Sequence, residues 1–160
     1  MLLERRLIDE IEIQRLAAAY SHAVMRLDGA AAAATYAEDG VLTAFSKPGI
    51  VGRAAIAEAL ILTLEPLAFL NQNCGAGIIS VDGDSATASW TVTELLQRKG
   101  EDRLSCCFGS YQDRLVRTAD GWRFAHRTFV PFFRGRIEAD GRSYPNPAFT
   151  GPAGPQSALS

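Results

Sequence analysis

The hydrophobic positions follow a helical period in the first part of the chain. Between residues 4 and 28 they recur every three to four positions, so at about 100° per residue they fall within one stripe. Arg15, His22 and Arg26 lie on the opposite side of the helical wheel. The pattern therefore predicts an amphipathic helix over residues 4–28, with a buried stripe made of Ile13, Leu16, Ala17, Tyr20, Ala23, Val24 and Leu27.

Two more helices are predicted before the pattern changes. The alanine-rich segment 30–38 predicts a short second helix, because alanine is the best helix former. Residues 41–46 then predict a short strand. A third helix is predicted from Arg53 to Leu64, and Pro66 ends it, since the residue before a proline disfavours helical geometry.

From residue 69 onward the pattern is that of strands separated by turns. Three clusters of turn residues recur at regular intervals: Asp82-Gly83-Asp84, residues 98–102, and Ala119-Asp120-Gly121. Helices followed by an antiparallel meander are typical of an α+β domain. The predicted strands lie near residues 74–81, 85–98, 103–117 and 122–133.

The chain is predicted to form one domain with an irregular tail. Its 160 residues are typical of a single domain. Four of the seven prolines and four of the fourteen glycines lie in residues 134–160, which have little periodicity. We therefore assign residues 1–133 to the domain and residues 134–160 to a Pro/Gly-rich C-terminal tail.

Composition excludes several classes of protein. An apolar fraction of 48% and a charged fraction of 21% are those of a globular protein, not of a disordered or collagen-like one. With 16 basic and 18 acidic residues the chain has no net positive field, which argues against nucleic acid as its partner. No long apolar run and no secretory leader pattern are present, so we expect a cytoplasmic protein without membrane contact.

The cysteine and histidine content argues against metal and disulfide chemistry. The chain has three cysteines, Cys74, Cys106 and Cys107, and two histidines. None of their spacings matches a zinc site, and three cysteines are too few for a disulfide framework. No phosphate-binding loop or nucleophile elbow is present either. We therefore expect no metal and no cofactor.

Short motifs occur in a characteristic order along residues 7–130. In their order and spacing they resemble the SnoaL-like group of the NTF2-like superfamily. This resemblance implies an NTF2-like cone, in which three N-terminal helices pack on a strongly curved, mainly antiparallel sheet around an apolar pocket, usually in a homodimer or homotrimer. The motifs are Ile13-Gln-Arg-Leu-Ala-Ala-Ala-Tyr20, Asp28-Gly29, Tyr36-Ala-Glu-Asp-Gly40, Gly52-Arg53, Asn73, Val81-Asp-Gly-Asp84, Gly109-Ser-Tyr-Gln-Asp113 and Asp120-Gly-Trp-Arg-Phe-Ala-His-Arg127.

The resemblance also implies a departure from the chemistry of the family. Its members include dehydratases, dehydrochlorinases, ketosteroid isomerases, polyketide cyclases and non-catalytic subunits, so the fold does not fix the reaction. In the lyase branch, an aspartate on the first helix holds a histidine that takes a proton from the substrate carbon. The corresponding positions here are Met25 and Phe69. Both members of the dyad are therefore expected to be replaced.

Tyr20 and Arg127 are the first candidates for the remaining chemistry. Tyr20 is either a core tyrosine bonded to a backbone carbonyl or a donor to a substrate oxygen. Arg127 matches a pocket arginine of the dehydrochlorinase-like members, and strand alternation places it with Ala125 and Phe129, opposite Phe124 and His126. It either forms a structural ion pair, with Glu94 or Asp113, or stabilises negative charge on a leaving group or enolate.

Glu94 is the candidate for the missing base. Its carboxylate is either exposed or ion-paired, or it is buried with a raised pKa. Met25 and Phe69 either line a cavity or fill it, and Asn73 either bonds to the backbone or contacts a ligand. Phe129 is expected to line the cavity as well.

These observations favour a pocket protein that binds a hydrophobic small molecule. The first hypothesis is a cofactor-free lyase or isomerase acting on a hydrophobic ring compound, with Tyr20, Arg127 and Glu94 as catalytic residues and Met25, Phe69, Asn73 and Phe129 as substrate-binding residues. A non-catalytic ligand-binding protein and a structural subunit are the alternatives. A homodimer or homotrimer is expected in each case.

Overall fold

A computed structural model describes residues 2–44, 48–138 and 141 of the chain. This part of the chain forms three helices and seven strands. The helices are α1 (Leu2–Met25), α2 (Gly29–Ala33) and α3 (Arg53–Leu64). The strands are β1 (Tyr36–Ala44), β2 (Ile50–Val51), β3 (Leu67–Cys74), β4 (Ile78–Asp82), β5 (Ser85–Arg98), β6 (Leu104–Thr118) and β7 (Gly121–Ile137).

The seven strands form one curved, unclosed sheet. Its order is β2-β1-β7-β6-β5-β3, and β4 pairs with β5 alongside β3. Every pair is antiparallel except β1 with β7, which is parallel. The predicted α+β class with a mainly antiparallel sheet is therefore confirmed.

The helices cover one face of the sheet, called the inner face below. Helix α1 packs against β3, β4 and β7, whereas α2 packs against α1 and α3. The stripe predicted for the first helix is confirmed, because Ile13, Ala17, Tyr20, Ala23 and Val24 are buried and its other members, Leu16 and Leu27, are half-buried. None of the helices in the described residues is long and apolar enough to cross a membrane.

The second helix is shorter than the prediction over residues 30–38. Helix α2 ends at Ala33, and Tyr36 already begins strand β1. Tertiary contacts decide this boundary. The backbone N–H of Phe124 on β7 donates to the Thr35 carbonyl (3.0 Å), and Arg53 Nε donates to the Tyr36 carbonyl (2.8 Å). The side chain of Tyr36 is fully buried, so packing outweighs the helix propensity of the segment.

The three predicted turn clusters all separate strands in the structure, but not every predicted strand boundary is correct. Strand β5 spans residues 85–98 as predicted, and β6 differs by one residue at each end. The strand predicted near residues 74–81 corresponds to β4, which begins at Ile78, and β3 (Leu67–Cys74) was not predicted as a separate strand. Strand β7 continues to Ile137 because it pairs with β6 as far as Leu104. The remaining tail lies outside the described residues except Glu138 and Gly141, so the domain boundary at residue 133 stays a prediction.

Candidate functional site

A network of polar side chains lies on the inner face of the sheet below α1. Gln72 on β3 is its centre. Ser21 Oγ on α1 donates to Gln72 Oε1 (2.9 Å), and Gln72 Nε2 donates to Glu94 Oε1 on β5 (2.7 Å) and to Tyr111 Oη on β6 (3.0 Å). Gln72 and Glu94 are cross-strand partners, so their side chains share a face. The network therefore joins one helix and three strands.

Glu94 lies in an environment that favours the protonated form of its carboxyl. Its side chain is half-buried, and burial raises the pKa of its carboxyl. The hydrogen bond from Gln72 and the charge of Arg134 act in the opposite direction but do not cancel this effect. The half-buried position and the raised pKa favour the second alternative for Glu94, and its role as the base stays a prediction.

Four aromatic rings pack next to this network. The Tyr20 ring makes edge-to-face contacts with Tyr36, Tyr111 and Phe124, with centroids 5.9–6.2 Å apart. Burial raises the pKa of the Tyr20 hydroxyl, whereas the nearby Arg127 lowers it. The hydroxyl of Tyr36 is close enough to influence Tyr20 but has no hydrogen-bond partner among the described residues. The ring of Tyr20 thus belongs to the hydrophobic core, and its hydroxyl lies near Arg127 and the hydroxyl of Tyr36.

Arg127 is fully buried and forms an ion pair with Asp113. Its Nε donates to Asp113 Oδ1 (2.9 Å) and its Nη2 donates to Asp113 Oδ2 (2.6 Å). Trp90 Nε1 donates to the same carboxylate (2.8 Å). The guanidinium carbon lies 4.6 Å from the Tyr20 ring centroid and 4.1 Å from that of Tyr111. Of the two suggested partners for this arginine, Asp113 is the one it contacts.

A bulge in β7 corrects the predicted faces of this strand. Leu115 on β6 pairs with Phe124, whereas the residue before it pairs with His126, which leaves Ala125 without a cross-strand partner on β6. Phe124 consequently shares a face with Arg127, and its ring centroid is 3.8 Å from the guanidinium carbon. Simple alternation places Phe124 on the opposite face and Ala125 beside the arginine. This prediction is wrong because the extra residue resets the alternation.

The residues predicted to line the cavity occupy three different places. Met25 and Asn73 line an open cleft of about 560 Å³ between α1 and β3, together with Ser21 and Gln72 of the network. Phe129 is buried, with its ring 5.4 Å from that of Tyr111. Phe69 is half-buried and belongs to the face of β3 opposite Gln72, because its cross-strand partner is Gln97. The other lining residues of the cleft are Gln14, Ala17, Ala18, His22, Asn71, Cys74, Gly75, Ala76 and Trp90.

The structure offers no ready metal site in the part of the chain that it describes. No three side chains of histidine, cysteine, aspartate or glutamate lie close enough together there to hold an ion. His22 lines the cleft beside the network, whereas His126 does not. His22 is exposed on α1, and His126 contacts Thr43 and Arg114 on the outer face of the sheet.

Comparison with known proteins identifies the family of the chain. Residues 5–128 match the SnoaL-like domain. The chain belongs to the SnoaL-like family. No curated protein sequence matches it.

Solved structures with the same fold include several related proteins. A single-residue variant of Rv3472 from Mycobacterium tuberculosis, described as of unknown function, is 26% identical over 81% of this chain and 75% of its own, with a TM-score of 0.73. A proposed scytalone dehydratase from Novosphingobium aromaticivorans is 19% identical over 94% and 99% of the two chains, with a TM-score of 0.77. A type 2 hexachlorocyclohexane dehydrochlorinase (LinA) is 15% identical over 89% and 97%, with a TM-score of 0.76. These likenesses confirm the NTF2-like fold.

In this SnoaL-like chain, α1 and β3 are joined by uncharged side chains. The hydrogen bond between them is made by Ser21 and Gln72. Met25 lies one turn further along α1, and Phe69 belongs to the other face of β3. The carry-over of the family's aspartate and histidine positions onto Met25 and Phe69 stays a prediction.

Sequence patterning missed the residues at the centre of the candidate site. Ser21, Gln72 and Tyr111 were not among the candidates. Two signals in the sequence do point to them. Ser21 falls on the helical wheel about 40° beyond Ala17, next to the edge of the buried stripe. Gln72 alternates with the buried Leu70, so it is a polar residue on the apolar face of a strand.

Proposed function

We propose that this SnoaL-like protein binds a hydrophobic ring compound and acts on it as a cofactor-free lyase or isomerase, with Glu94 as the proton acceptor. One observation carries the proposal: a half-buried carboxyl with a raised pKa faces the inner side of the sheet, bonded to Gln72. A carboxyl whose pKa is raised toward neutrality is suited to accept and return a proton. Structural neighbours described as a dehydratase and a dehydrochlorinase support chemistry of this kind.

The reaction begins with proton transfer to Glu94. The ionised carboxylate takes a proton from a substrate carbon, and the electron pair of the broken C–H bond forms a carbon–carbon double bond. In a lyase, the leaving group departs with the electron pair of its own bond to the adjacent carbon. In an isomerase, the electrons pass to a carbonyl oxygen as an enolate, and Glu94 returns the proton to another carbon.

Tyr20 and Tyr111 are suited to stabilise the negative charge that develops on a substrate oxygen. Tyr111 Oη accepts a hydrogen bond from Gln72, so its own hydrogen is left to donate. The Arg127 guanidinium stacks on both rings, and its charge partly offsets the rise that burial causes in the pKa of the Tyr20 hydroxyl. Nε and Nη2 of Arg127 are bonded to Asp113, whereas its buried Nη1 has no hydrogen-bond partner among the described residues. Arg127 therefore supports the reaction through its charge next to the two phenols.

Apolar side chains near the network support a hydrophobic substrate. The Phe129 ring packs on Tyr111, and Cys107 is the cross-strand partner of Glu94. Met25, whose side chain adapts to irregular shapes, lines the cleft beside α1. Asn73 at the same cleft offers an amide for a polar group on the ligand. Phe69, on the other face of β3, is better suited to packing than to direct contact.

Self-association and a cytoplasmic location remain parts of this proposal. Phe108 and Phe133 stack on each other with centroids 5.7 Å apart, and both are exposed. An exposed aromatic pair of this kind supports assembly into a homodimer or homotrimer. Light scattering coupled to size-exclusion chromatography measures the mass of the particle directly, and a mass of one chain at micromolar concentration contradicts this expectation.

Hydrogen exchange tests the proposed reaction even though the substrate is unidentified. The purified protein is incubated in D₂O with a panel of cyclic ketones and β-hydroxy ketones, including steroids and aromatic polyketides, and the products are read by mass spectrometry. We expect deuterium incorporation or loss of water with at least one compound class. Glu94→Gln keeps the shape of the side chain but removes the base, and we expect a loss of about 100-fold or more in rate. Glu101→Gln, at an exposed position, is the matched control.

Each other outcome of this experiment favours an alternative function. Binding of a panel member, measured by calorimetry, without exchange or elimination favours a non-catalytic ligand-binding protein. If the protein neither binds nor transforms any compound of the panel, the result favours a structural subunit. Equal rates for the wild type and Glu94→Gln show that Glu94 is not the base.

A further inference from the structure

Gln72 lies between three side chains that can each hydrogen-bond in more than one way. It contacts Ser21 through its carbonyl oxygen and Glu94 and Tyr111 through its amide nitrogen, over distances of 2.7–3.0 Å. Gln72 itself is buried, with 4% of its surface exposed. Both ends of its amide are therefore engaged by protein groups.

The observed orientation of the amide is the one that an ionised Glu94 requires. A carboxylate only accepts hydrogen bonds, so the NH₂ group of Gln72 must face it. The carbonyl oxygen then faces Ser21, whose hydroxyl donates. Tyr111 Oη accepts the second hydrogen of the NH₂ group. Each of the four groups has at least one hydrogen bond in this arrangement.

The opposite orientation satisfies the same groups when Glu94 carries a proton. A protonated carboxyl has an O–H group to donate, and the carbonyl oxygen of a rotated Gln72 can accept it. Hydroxyl groups both donate and accept, so the Ser21 oxygen can then accept from the rotated NH₂ group. Tyr111 can likewise turn its O–H toward the Gln72 oxygen. Each of the three partners therefore keeps a hydrogen bond to Gln72 on rotation.

We propose that Gln72 is a positioning residue whose side-chain amide rotates by half a turn when Glu94 takes up a proton, so that Glu94 stays hydrogen-bonded in both protonation states. The rotation itself depends only on the contacts of Gln72. Its importance for catalysis rests on the proposed function, because a group that accepts a proton and later returns it must be supported in both states.

Other ionisable groups also face Glu94, and they set the background for its titration. Tyr20 approaches from α1, Cys107 and Tyr111 from β6, and Arg134 from β7. Burial raises the pKa of Cys107, Tyr20 and Tyr111, so these three stay neutral where Glu94 titrates. Arg134 contributes a positive charge that opposes the rise in the Glu94 pKa. Glu94 is therefore the group in this set that ionises first as the pH rises from acid.

Nuclear magnetic resonance tests the rotation on the full chain without any substrate. The ¹³Cδ resonance of Glu94 gives its protonation midpoint, and ¹⁵N-labelled glutamine gives the Gln72 amide signals. We expect the Gln72 signals to shift with the same midpoint as Glu94. At high pH its NH₂ protons should show nuclear Overhauser contacts to the Glu94 Hγ protons, and at low pH to the Ser21 Hβ protons. Contacts that are identical at both ends of the titration overturn the proposal.

Variants separate orientation from simple proximity. Gln72→Met removes the hydrogen bond that favours the ionised carboxylate, so the Glu94 midpoint should move to higher pH. Ser21 bonds to the amide in both orientations, so Ser21→Ala should move the Glu94 midpoint by less than Gln72→Met does. Gln112, whose amide donates to Ser89 and Ser110, is the internal control, and its signals should not follow Glu94.

The outcomes distinguish this proposal from the proposed function. If Gln72→Met fails to fold, the wild-type contacts at the two ends of the titration still decide the question. An unchanged Glu94 midpoint in a folded Gln72→Met variant overturns the positioning role. If the amide rotates but the exchange assay shows no chemistry, the rotation stands and the proposed reaction fails. If the exchange assay shows chemistry but the amide does not rotate, the proposed reaction stands and the rotation fails.

Discussion

The ion pair between Arg127 and Asp113 gives the sharpest test of how this protein is held together. Replacing Arg127 by Met leaves the Asp113 carboxylate buried without its counter-charge. Replacing Asp113 by Leu leaves the Arg127 guanidinium buried without its counter-charge. The double variant removes both charges and fills the space with apolar groups. Comparing the three measures the pair itself, because each single change leaves one charge unpaired.

The expected magnitudes follow from the contacts. Breaking a buried pair by removing one partner costs about 3–5 kcal/mol, because the remaining charge is uncompensated. The Arg127→Met variant also loses the stacking of the guanidinium on Tyr20, Tyr111 and Phe124, and each of these contacts is worth about 0.5–2 kcal/mol. We therefore expect each single variant to lose about 4 kcal/mol or more of unfolding free energy. The double variant should be within about 2 kcal/mol of the wild type, since apolar replacement of a buried pair is often neutral.

Urea unfolding followed by far-UV circular dichroism and tryptophan fluorescence measures these values. Arg103→Met is the matched control, because Arg103 is 60% exposed and pairs with the exposed Glu138. It should change stability by no more than about 0.5 kcal/mol. A loss below about 1 kcal/mol for Arg127→Met would refute the structural role of the pair and favour a ligand anchor instead.

Three further predictions concern other parts of the structure. Glu94→Gln should stabilise the protein at neutral pH and not in acid. The raised pKa of Glu94 in the folded state means that folding penalises its ionised form, and this penalty grows as the pH rises through that pKa. Urea titrations at both pH values measure the difference. Gly77→Ala should cost about 1–3 kcal/mol in the same assay, since a Cβ there would lie 2.4 Å from the Trp90 ring, and an unchanged midpoint contradicts this packing. Asp9 pairs with Arg117 (2.6 Å). Burial raises the pKa of Asp9, but the hydrogen bonds from Arg117 and Trp122 and the charges of Arg117 and Arg5 together bring it below its usual value. Asp9→Asn should therefore be less stable than the wild type at neutral pH, and thermal melts should converge as acid protonates the wild-type carboxyl.

The periodicity of the sequence determined the architecture of this protein. The helical stripe on α1, the limits of α3 and the length of β5 follow from local patterns, because burial of one face imposes a fixed period on each element. The burial of Tyr20 also follows, since it lies at the centre of that stripe. The turn at Gly83 is local in the same sense: its φ of +60° favours glycine, and the sequence supplies one.

Tertiary structure alone decided the arrangement of the candidate site. The partner of Arg127 could be Glu94 or Asp113 from the sequence, and a register shift between β6 and β7 chose Asp113 by resetting the alternation at Ala125. The hydrogen bond between Ser21 and Gln72 joins residues 51 positions apart. Local patterns report only which side of an element is buried. Which buried polar groups meet depends on strand register and on bulges, and these are fixed by packing across the whole sheet.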